Sequence, residues 1–425
     1  MQLDQAKAKS VLFAASCALL GGQVQAQDWN FDTAVMYYGE TDRVTALEGV
    51  VKAKKTYANG GELNTKVVVD SLTGASASGA VPQNSPQTYT TPSGNGQYQA
   101  PANQTPLDDT FKDTRVQVAG QWSAPINDEY LYSVGSNFSK EYDYMSLGFS
   151  GVLGRYLNNK NTTLSLGLSY AFDSVDSVGG QPIGLSSMVV NDGAFANEAA
   201  YRTAFNATRQ GDGESKNTVD LIVGLTQVMS RRWITQFNVS VSEVDGYLTD
   251  PYKLISVVDT TGTANSQLYE NRPDTRSKQA FFAQSKYHFE QSILDLSYRF
   301  TTDDWGIQSH TLESRYRYLF ANNSYLEPHV RVYQQSEADF YQPFLNDGTP
   351  LPRFASADYR IGKLNAYTIG LKYGKKLEND REYGVRLEYY NQAPQDIGIT
   401  APGQLASQEL YPSVDALILQ VDYKF

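Results

Sequence analysis

Charged side chains recur at alternate positions in the C-terminal half of the chain. Alternate residues of a β-strand point to the same side of the sheet, so such a row would form one charged face. The residues that share this pattern are Glu313, Arg315, Arg317, Glu327, His329, Arg331, Lys372, Arg386 and Glu388. Arginines lining a lumen could select anions, as charged rings do in pores. Alternatively, each arginine could pair with a nearby carboxylate and stiffen the wall. The mixed signs favour ion pairing, although the two roles are compatible.

The sequence offers little support for catalysis or for a metal site. There are three histidines, His288, His310 and His329, and their spacing does not indicate that they converge as metal ligands must. No serine lies in a recognisable nucleophile motif, so a Ser–His–acid hydrolase or a barrel enzyme acting on lipid is a weak alternative. The chain also lacks a haem-attachment motif, a phosphate loop and a dinucleotide fingerprint. We therefore predict no catalytic residue, no metal and no cofactor, and leave open only weak Ca²⁺ binding by acidic loops.

The charged rows belong to segments in which polar and apolar residues alternate, the pattern of β-strands with one apolar face. In the segment 162–173, for example, Leu164, Leu166 and Leu168 alternate with serine and glycine. We count about 16 such segments, with 14 or 18 as fallbacks. Strands are predicted at about 29–38, 43–53, 62–70, 112–123, 129–139, 144–156, 162–173, 217–229, 232–243, 279–290, 292–302, 308–320, 325–335, 361–375, 381–391 and the C-terminal segment.

The last strand ends on an aromatic residue. Leu417, Leu419, Val421, Tyr423 and Phe425 share one face. A terminal strand of this kind resembles the signal by which bacterial outer-membrane barrels are recognised and inserted. We therefore assign Tyr423 and Phe425 to a membrane-insertion signal and expect the barrel-assembly machinery as a partner.

Long and short connections alternate between the predicted strands. The long ones lie at about 71–111, 174–216, 244–278, 336–360 and 392–412, and short turns separate them. Bacterial barrels keep short turns on the periplasmic side and long loops outside. The order therefore places both termini in the periplasm. The segment 71–111 is rich in Pro, Gly, Ser and Asn, and could be mobile outside or fold into the lumen as a plug.

The N-terminal residues and the composition agree with an outer-membrane location. Residues 1–26 resemble a secretory signal peptide with a small-residue cleavage site after Ala26; lipidation at Cys17 is a weak alternative. The net charge of −11 argues against nucleic acid as a partner. The chain is rich in tyrosine, with 30 in total, and has no later apolar run of transmembrane-helix length. A soluble all-β protein would explain the alternation but not these features together.

Several motifs resemble a proteobacterial outer-membrane β-barrel family of unknown function, numbered 3570. They are Lys66–Ser76 with Gly79–Pro82, Ser230–Trp233, Asp245–Lys253 and Ala338–Tyr341. The resemblance covers nearly the whole mature chain. It implies an outer-membrane barrel but no catalytic residues.

We therefore predict an all-β fold, a transmembrane antiparallel up-and-down β-barrel of about 16 strands formed by residues 27–425 as a single domain. The leading functional hypothesis is a pore or export channel for small polar solutes in contact with outer-membrane lipid. The alternative is a non-conducting scaffold or sheath for a periplasmic lipoprotein or redox partner.

Overall fold

The computed structural model describes residues 29–211 and 213–425, so the predicted signal peptide lies outside the described residues. The described chain forms 21 strands. Of these, sixteen close into one antiparallel barrel in chain order. They are β1 (Trp29–Glu40), β2 (Val44–Thr56), β3 (Glu62–Ala77), β6 (Leu107–Pro125), β7 (Tyr130–Lys140), β8 (Tyr144–Leu157), β9 (Thr162–Val175), β10 (Glu214–Ser230), β11 (Trp233–Gly246), β14 (Thr275–His288), β15 (Ser292–Asp303), β16 (Gln308–Leu319), β17 (Ser324–Gln335), β19 (Leu364–Lys376), β20 (Glu382–Pro394) and β21 (Val414–Lys424).

The first and last strands close the barrel. Val35 of β1 lies opposite Val421 of β21. Beyond the end of β21, the Phe31 amide donates to the Phe425 carbonyl at 2.8 Å, and the Phe425 amide donates to the Phe31 carbonyl at 2.9 Å. Closure pairs the edge strands with each other, which a sheet in lipid requires because lipid offers no hydrogen-bond partner.

The apolar residues of the strands face outward. Leu166, Leu221 and Val421 are 50%, 44% and 49% exposed, so none of them lies in a protein core. The residues between them, such as Ser165 and Asp220, face the lumen by the alternation of the strand. The predicted all-β barrel with sixteen strands and an apolar exterior is thus confirmed. Among the described residues, no helix is long and apolar enough to cross a membrane.

The connections at the two ends of the barrel differ in length. At the end where Trp29 and Phe425 lie, which we call the terminal end, every connection between described strands is a short turn of two to five residues. At the opposite end, the loop end, five connections are long. These are 78–106, 176–213, 247–274, 336–363 and 395–413, and we call them together the cap.

The first long connection differs from the prediction of 71–111. β3 continues to Ala77 and β6 begins at Leu107, with a register shift between Gly74 and Ser76. Small polar residues such as Ser71 and Thr73 hide this extension in the sequence, because the alternation of apolar residues weakens toward the loop end. Connections 176–213, 247–274 and 395–413 are also a few residues shorter than predicted, whereas 336–363 is three residues longer than the predicted 336–360.

The cap has secondary structure of its own. It contains the hairpin β4 (Gln87–Thr90) and β5 (Gln97–Ala100), the helix α1 (Glu198–Asn206), and a small sheet of β12 (Leu254–Val258), β13 (Ala264–Tyr269) and β18 (Leu345–Asn346). Two 3₁₀ turns, Tyr359–Ile361 and Gly403–Ser407, complete it. The segment 78–106 is packed within this cap, where Tyr89 is fully buried against Leu254 and Tyr269.

Candidate functional site

The cap crosses the mouth of the barrel. Connection 78–106 and connection 247–274 leave the barrel six strands apart, yet the Val81 amide donates to Ser256 Oγ at 3.0 Å. Connection 395–413 leaves six strands further on, and the Gln404 amide donates to the Thr261 carbonyl at 2.8 Å. A barrel of this strand number is about 30 Å across. Segments that start so far apart can meet only across the opening, so the cap spans the lumen.

Apolar clusters and hydrogen bonds hold the cap together. Ile255, Leu268 and Leu345 share one cluster, in which residues of two connections meet. Helix α1 adds Tyr201, whose hydroxyl donates to the Gly94 carbonyl at 2.9 Å and so joins connections 176–213 and 78–106. Since buried apolar contact and satisfied backbone groups both favour order, the cap is a folded layer and not a set of separate loops.

A cluster of charged residues around two buried carboxylates joins two of the cap connections. We call Asp250, Glu270, Arg272, Asp358 and Arg360 the latch. Arg272 Nη2 lies 2.7 Å from Asp358 Oδ2 and 3.0 Å from Glu270 Oε2. Arg360 Nε lies 2.8 Å from Asp358 Oδ2, and its Nη2 also binds Asp250. Glu270 and Asp358 are almost completely buried, at 0% and 1% exposure, so their charges depend on these arginines.

Burial and charge act in opposite directions on the latch carboxyls. Burial raises the pKa of Glu270 to about 7, although Arg272 opposes the shift. At Asp358 burial also favours the neutral form, but the Arg360 charge and its hydrogen bonds outweigh burial and hold the pKa below its usual range. The two arginines therefore stabilise Asp358 as an anion, whereas Glu270 titrates near neutral pH.

Most of the predicted lumen residues lie in ion pairs along the wall. Arg315 Nη2 lies 2.6 Å from Glu313 Oε1, and Arg317 Nε lies 2.6 Å from Glu327 Oε2. His329 Nδ1 lies 2.8 Å from Glu388 Oε1. This geometry is the ion-pairing arrangement, in which an arginine has little free charge to offer a solute.

The remaining predicted residues separate into two groups. Arg386 lies 3.7 Å from Glu388 and 3.9 Å from Glu327, and Lys372 Nζ lies 2.8 Å from Asp422 Oδ1. Arg331, in contrast, has no ion-pair partner among the described residues. Of the nine predicted residues, the structure thus leaves one arginine with an uncompensated charge.

The sequence patterns did not identify the other arginines that lie near Arg331. Arg276 and Arg299 line the same cavity as Arg331, and Arg360 approaches it from the cap. Arg299 lies between Tyr298 and Phe300, which face outward. The alternation of the strand could therefore have identified Arg299 as a residue that faces the lumen. No local pattern could have indicated Arg360, because a long loop carries it to the wall.

The three histidines do not form one site. His288 lies at the terminal end of β14, and His329 lies in the ion-pair network of the wall. His310 falls on the outer face, where its Nδ1 lies 2.8 Å from the Tyr298 hydroxyl. Three separate environments give no shared metal or catalytic centre among these histidines.

Several solved structures resemble this chain in fold over most of its length. CdiB from Acinetobacter baumannii has a TM-score of 0.44 at 9% identity, over 94% of this chain and 60% of its own. A mutant of the ferric enterobactin receptor from Pseudomonas aeruginosa has a TM-score of 0.43 at 7% identity, over 93% and 59%. A bacterial polysaccharide outer membrane secretin has a TM-score of 0.41 at 8% identity, over 93% and 98%. The chain thus spans about three-fifths of the length of the first two proteins.

No curated protein sequence matches the chain. The match to a family is in contrast nearly complete, over residues 9–425. Together with the closed barrel and its apolar exterior, this match assigns the chain as a β-barrel of the bacterial outer membrane that belongs to the family described as protein of unknown function, DUF3570.

Proposed function

We propose that the protein is an outer-membrane channel for small polar solutes and that the cap controls entry at the loop end. The observation that carries this proposal is the polar, solvent-exposed lumen beneath the cap. Lys52, Arg299 and Arg331 are exposed there, and wall cavities of about 510, 420 and 430 Å³ lie along the strands. A sixteen-stranded barrel is too wide for its own side chains to fill.

The orientation follows from the lengths of the connections. Bacterial barrels expose their long loops outside the cell and their short turns to the periplasm. In this orientation the cap faces the exterior, and the open terminal end faces the periplasm. Outer-membrane lipid would surround the apolar belt, and the barrel-assembly machinery would insert the chain.

The closed cap predicts a low resting conductance. A solute at the loop end must wait until cap segments separate, and the latch is the polar contact that ties two of them together. Arg360 is the best position for a test, because its side chain joins Asp358 to Asp250 next to the lumen. Loss of these bonds should weaken the latch while leaving the barrel strands intact.

Conductance in a planar bilayer tests the channel. We expect rare openings for the wild type and a several-fold higher open fraction for Arg360→Ala. Arg353→Ala is the matched control, since Arg353 is an exposed arginine of the same connection whose guanidinium stacks on Phe354 and has no ion-pair partner among the described residues. If both variants and the wild type stay silent while correctly folded, the channel proposal fails.

The scaffold is the second candidate, and the cap that spans the mouth favours it. In this case the lumen is open to the periplasm only, and a periplasmic lipoprotein or redox protein would bind at the terminal end of the barrel. Lys52 and Lys66 border a cavity there. Silence in bilayers combined with specific crosslinking of a periplasmic protein to this end would support the scaffold over the channel.

A further inference from the structure

We propose that the lumen contains a binding site for a small oxyanion, formed by Arg299 and Arg331. This inference rests on the proposed function, which it deepens by naming the class of solute: an organic carboxylate or a phosphate. The site is the cavity of about 510 Å³ on the wall formed by β14, β15, β16 and β17. Its volume is in the range of small-molecule sites and excludes a macromolecule.

The strand register places the two arginines on either side of β16. Arg299 of β15 lies opposite Thr311 of β16, and Arg331 of β17 lies opposite Glu313 of β16. The two outer strands are about 10 Å apart across β16. Both guanidinium groups border the same cavity, so one ligand above β16 is within reach of both long side chains.

The charge of the cavity is positive, in contrast to the net charge of −11 for the chain. Four arginines and two carboxylates border it. The carboxylates are already neutralised, because Asp303 accepts from Arg276 Nε at 2.8 Å and Glu313 lies 2.6 Å from Arg315. Arg360 is paired with Asp358 and Asp250 in the latch, so the charges of Arg299 and Arg331 are left without compensation.

Arg299 and Arg331 are the arginines that remain available. Among the described residues neither has an ion-pair partner, and the guanidinium of Arg299 lies 5.3 Å from the ring centre of Phe282. Both side chains are exposed to the lumen. Arginine presents a planar fork that binds carboxylate or phosphate oxygens in pairs, so two free guanidinium groups favour an oxyanion over a neutral solute.

Hydroxyl groups and the cap complete the cavity. Ser297 and Thr311 border it and can donate further hydrogen bonds to an anion, whereas the Tyr333 hydroxyl already donates to Gln335 Oε1. The cap is fixed to the same wall, because Gln335 Nε2 donates to the carbonyls of Arg360 and Gly362 at 2.9 and 2.8 Å. The site therefore lies directly below the cap, where a solute that enters from the loop end would first meet the wall.

Calorimetric titration of the full-length protein in non-ionic detergent at low ionic strength tests the site. The probes are inorganic phosphate and citrate. We expect saturable binding of at least one probe, weakened about tenfold or more in the double variant Arg299→Gln, Arg331→Gln, which removes two charged donors. Added sodium chloride should weaken the wild-type binding, because the attraction is electrostatic.

Arg155→Gln is the control for the loss of an arginine outside the cavity. Arg155 is an arginine of β8 that shares the outward face with Leu153 and lies 3.5 Å from Glu129, away from the cavity. Its substitution should leave the binding constant within about twofold of the wild type. Heat-dependent migration of each variant on a gel confirms that the barrel is folded.

Two results would overturn the inference: a folded wild type that binds neither probe, or a double variant that binds as tightly as the wild type. Binding is measured without any need for an open cap. A protein that binds phosphate or citrate but never conducts would therefore retain this site and refute the channel. A protein that conducts but binds neither probe would retain the channel and refute this site.

Discussion

Arg272 and Asp358 connect two cap loops that leave the barrel four strands apart, with 2.7 Å between Nη2 and Oδ2. Asp358 is 1% exposed, and Glu270 on the other side of Arg272 is 0% exposed. A buried ion pair contributes little net stability compared with apolar residues, but removing one partner leaves an uncompensated charge in a dry site. The closed cap therefore depends on the presence of the arginine.

Replacement of Arg272 by methionine should loosen the cap. Arg272→Met keeps an apolar stem but removes the charge, and we expect the two joined connections to lose about 3–5 kcal/mol of local stability. Hydrogen exchange should become faster in 247–274 and 336–363, while exchange in the barrel strands stays slow. Arg353→Met, at an exposed position of the cap, is the control. Equal exchange rates in the two variants would contradict the role of the latch.

The cap should become more stable as the pH falls from 8 to 5. Burial raises the pKa of Glu270 to about 7, above the usual value of 4.5, so the folded cap binds this proton more tightly than the unfolded cap does. The stabilisation is complete below the unfolded pKa and disappears as the pH rises through 7. A shift of this size corresponds to about 3 kcal/mol.

The measurement is hydrogen exchange in 247–274 as a function of pH, corrected for the intrinsic rate. Glu270→Gln should flatten the profile, whereas Glu409→Gln, at an exposed cap carboxyl, should not. Arg272, Asp250 and Asp358 act electrostatically on Glu270, and Arg360 and Lys253 act on Asp358 next to it. Asp250 and Asp358 titrate below their usual range and do not contribute between pH 5 and 8. A wild-type cap that is equally stable at both pH values would refute the assignment.

The barrel could be predicted because the physics of each strand is local. One face meets lipid and the other meets water, so alternation such as Leu166, Leu168 and Tyr170 marks a strand without knowledge of its neighbours. The extension of β3 through Ser71 and Thr73 was missed, since strands that rise above the lipid no longer need an apolar face. The strand count was predictable for the same local reason.

The cap and the candidate anion site could not be predicted from the sequence, because both depend on residues distant along the chain. Gln83 binds Gln404 at 3.0 Å across 321 positions, which no periodicity indicates. The sequence offered Arg315, Arg317 and Arg331 as equivalent lumen arginines. The register alone places Glu313 opposite Arg331. Only the side-chain distances show that Glu313 and Glu327 neutralise the first two and leave Arg331 without an ion-pair partner among the described residues.

Leu221→Arg should prevent stable insertion more strongly than the neighbouring substitution Ile222→Arg. Leu221 lies midway along β10 on the outer face, and Ile222 lies on the lumen face at similar exposure, 44% and 39%. An arginine facing lipid near the bilayer centre costs about 2–4 kcal/mol, whereas one facing water in the lumen costs little. Urea titration of folding into phospholipid vesicles measures the free energy of folding of both variants. Equal losses for the two variants would mean that the outer face of β10 does not contact acyl chains.

Phe425→Ala should reduce the amount of assembled barrel in the outer membrane. The ring of Phe425 stacks on that of Phe31 at 5.4 Å, so the terminal residue contributes to the seam where β1 meets β21. If Tyr423 and Phe425 are also read by the barrel-assembly machinery, the defect should be larger in cells than in refolding from urea into vesicles. Phe320→Ala is the control, because Phe320 is an outward aromatic at the same end of the barrel, far from the seam. Comparable defects for both variants in cells would show that the terminal residue acts only as another aromatic of the membrane interface.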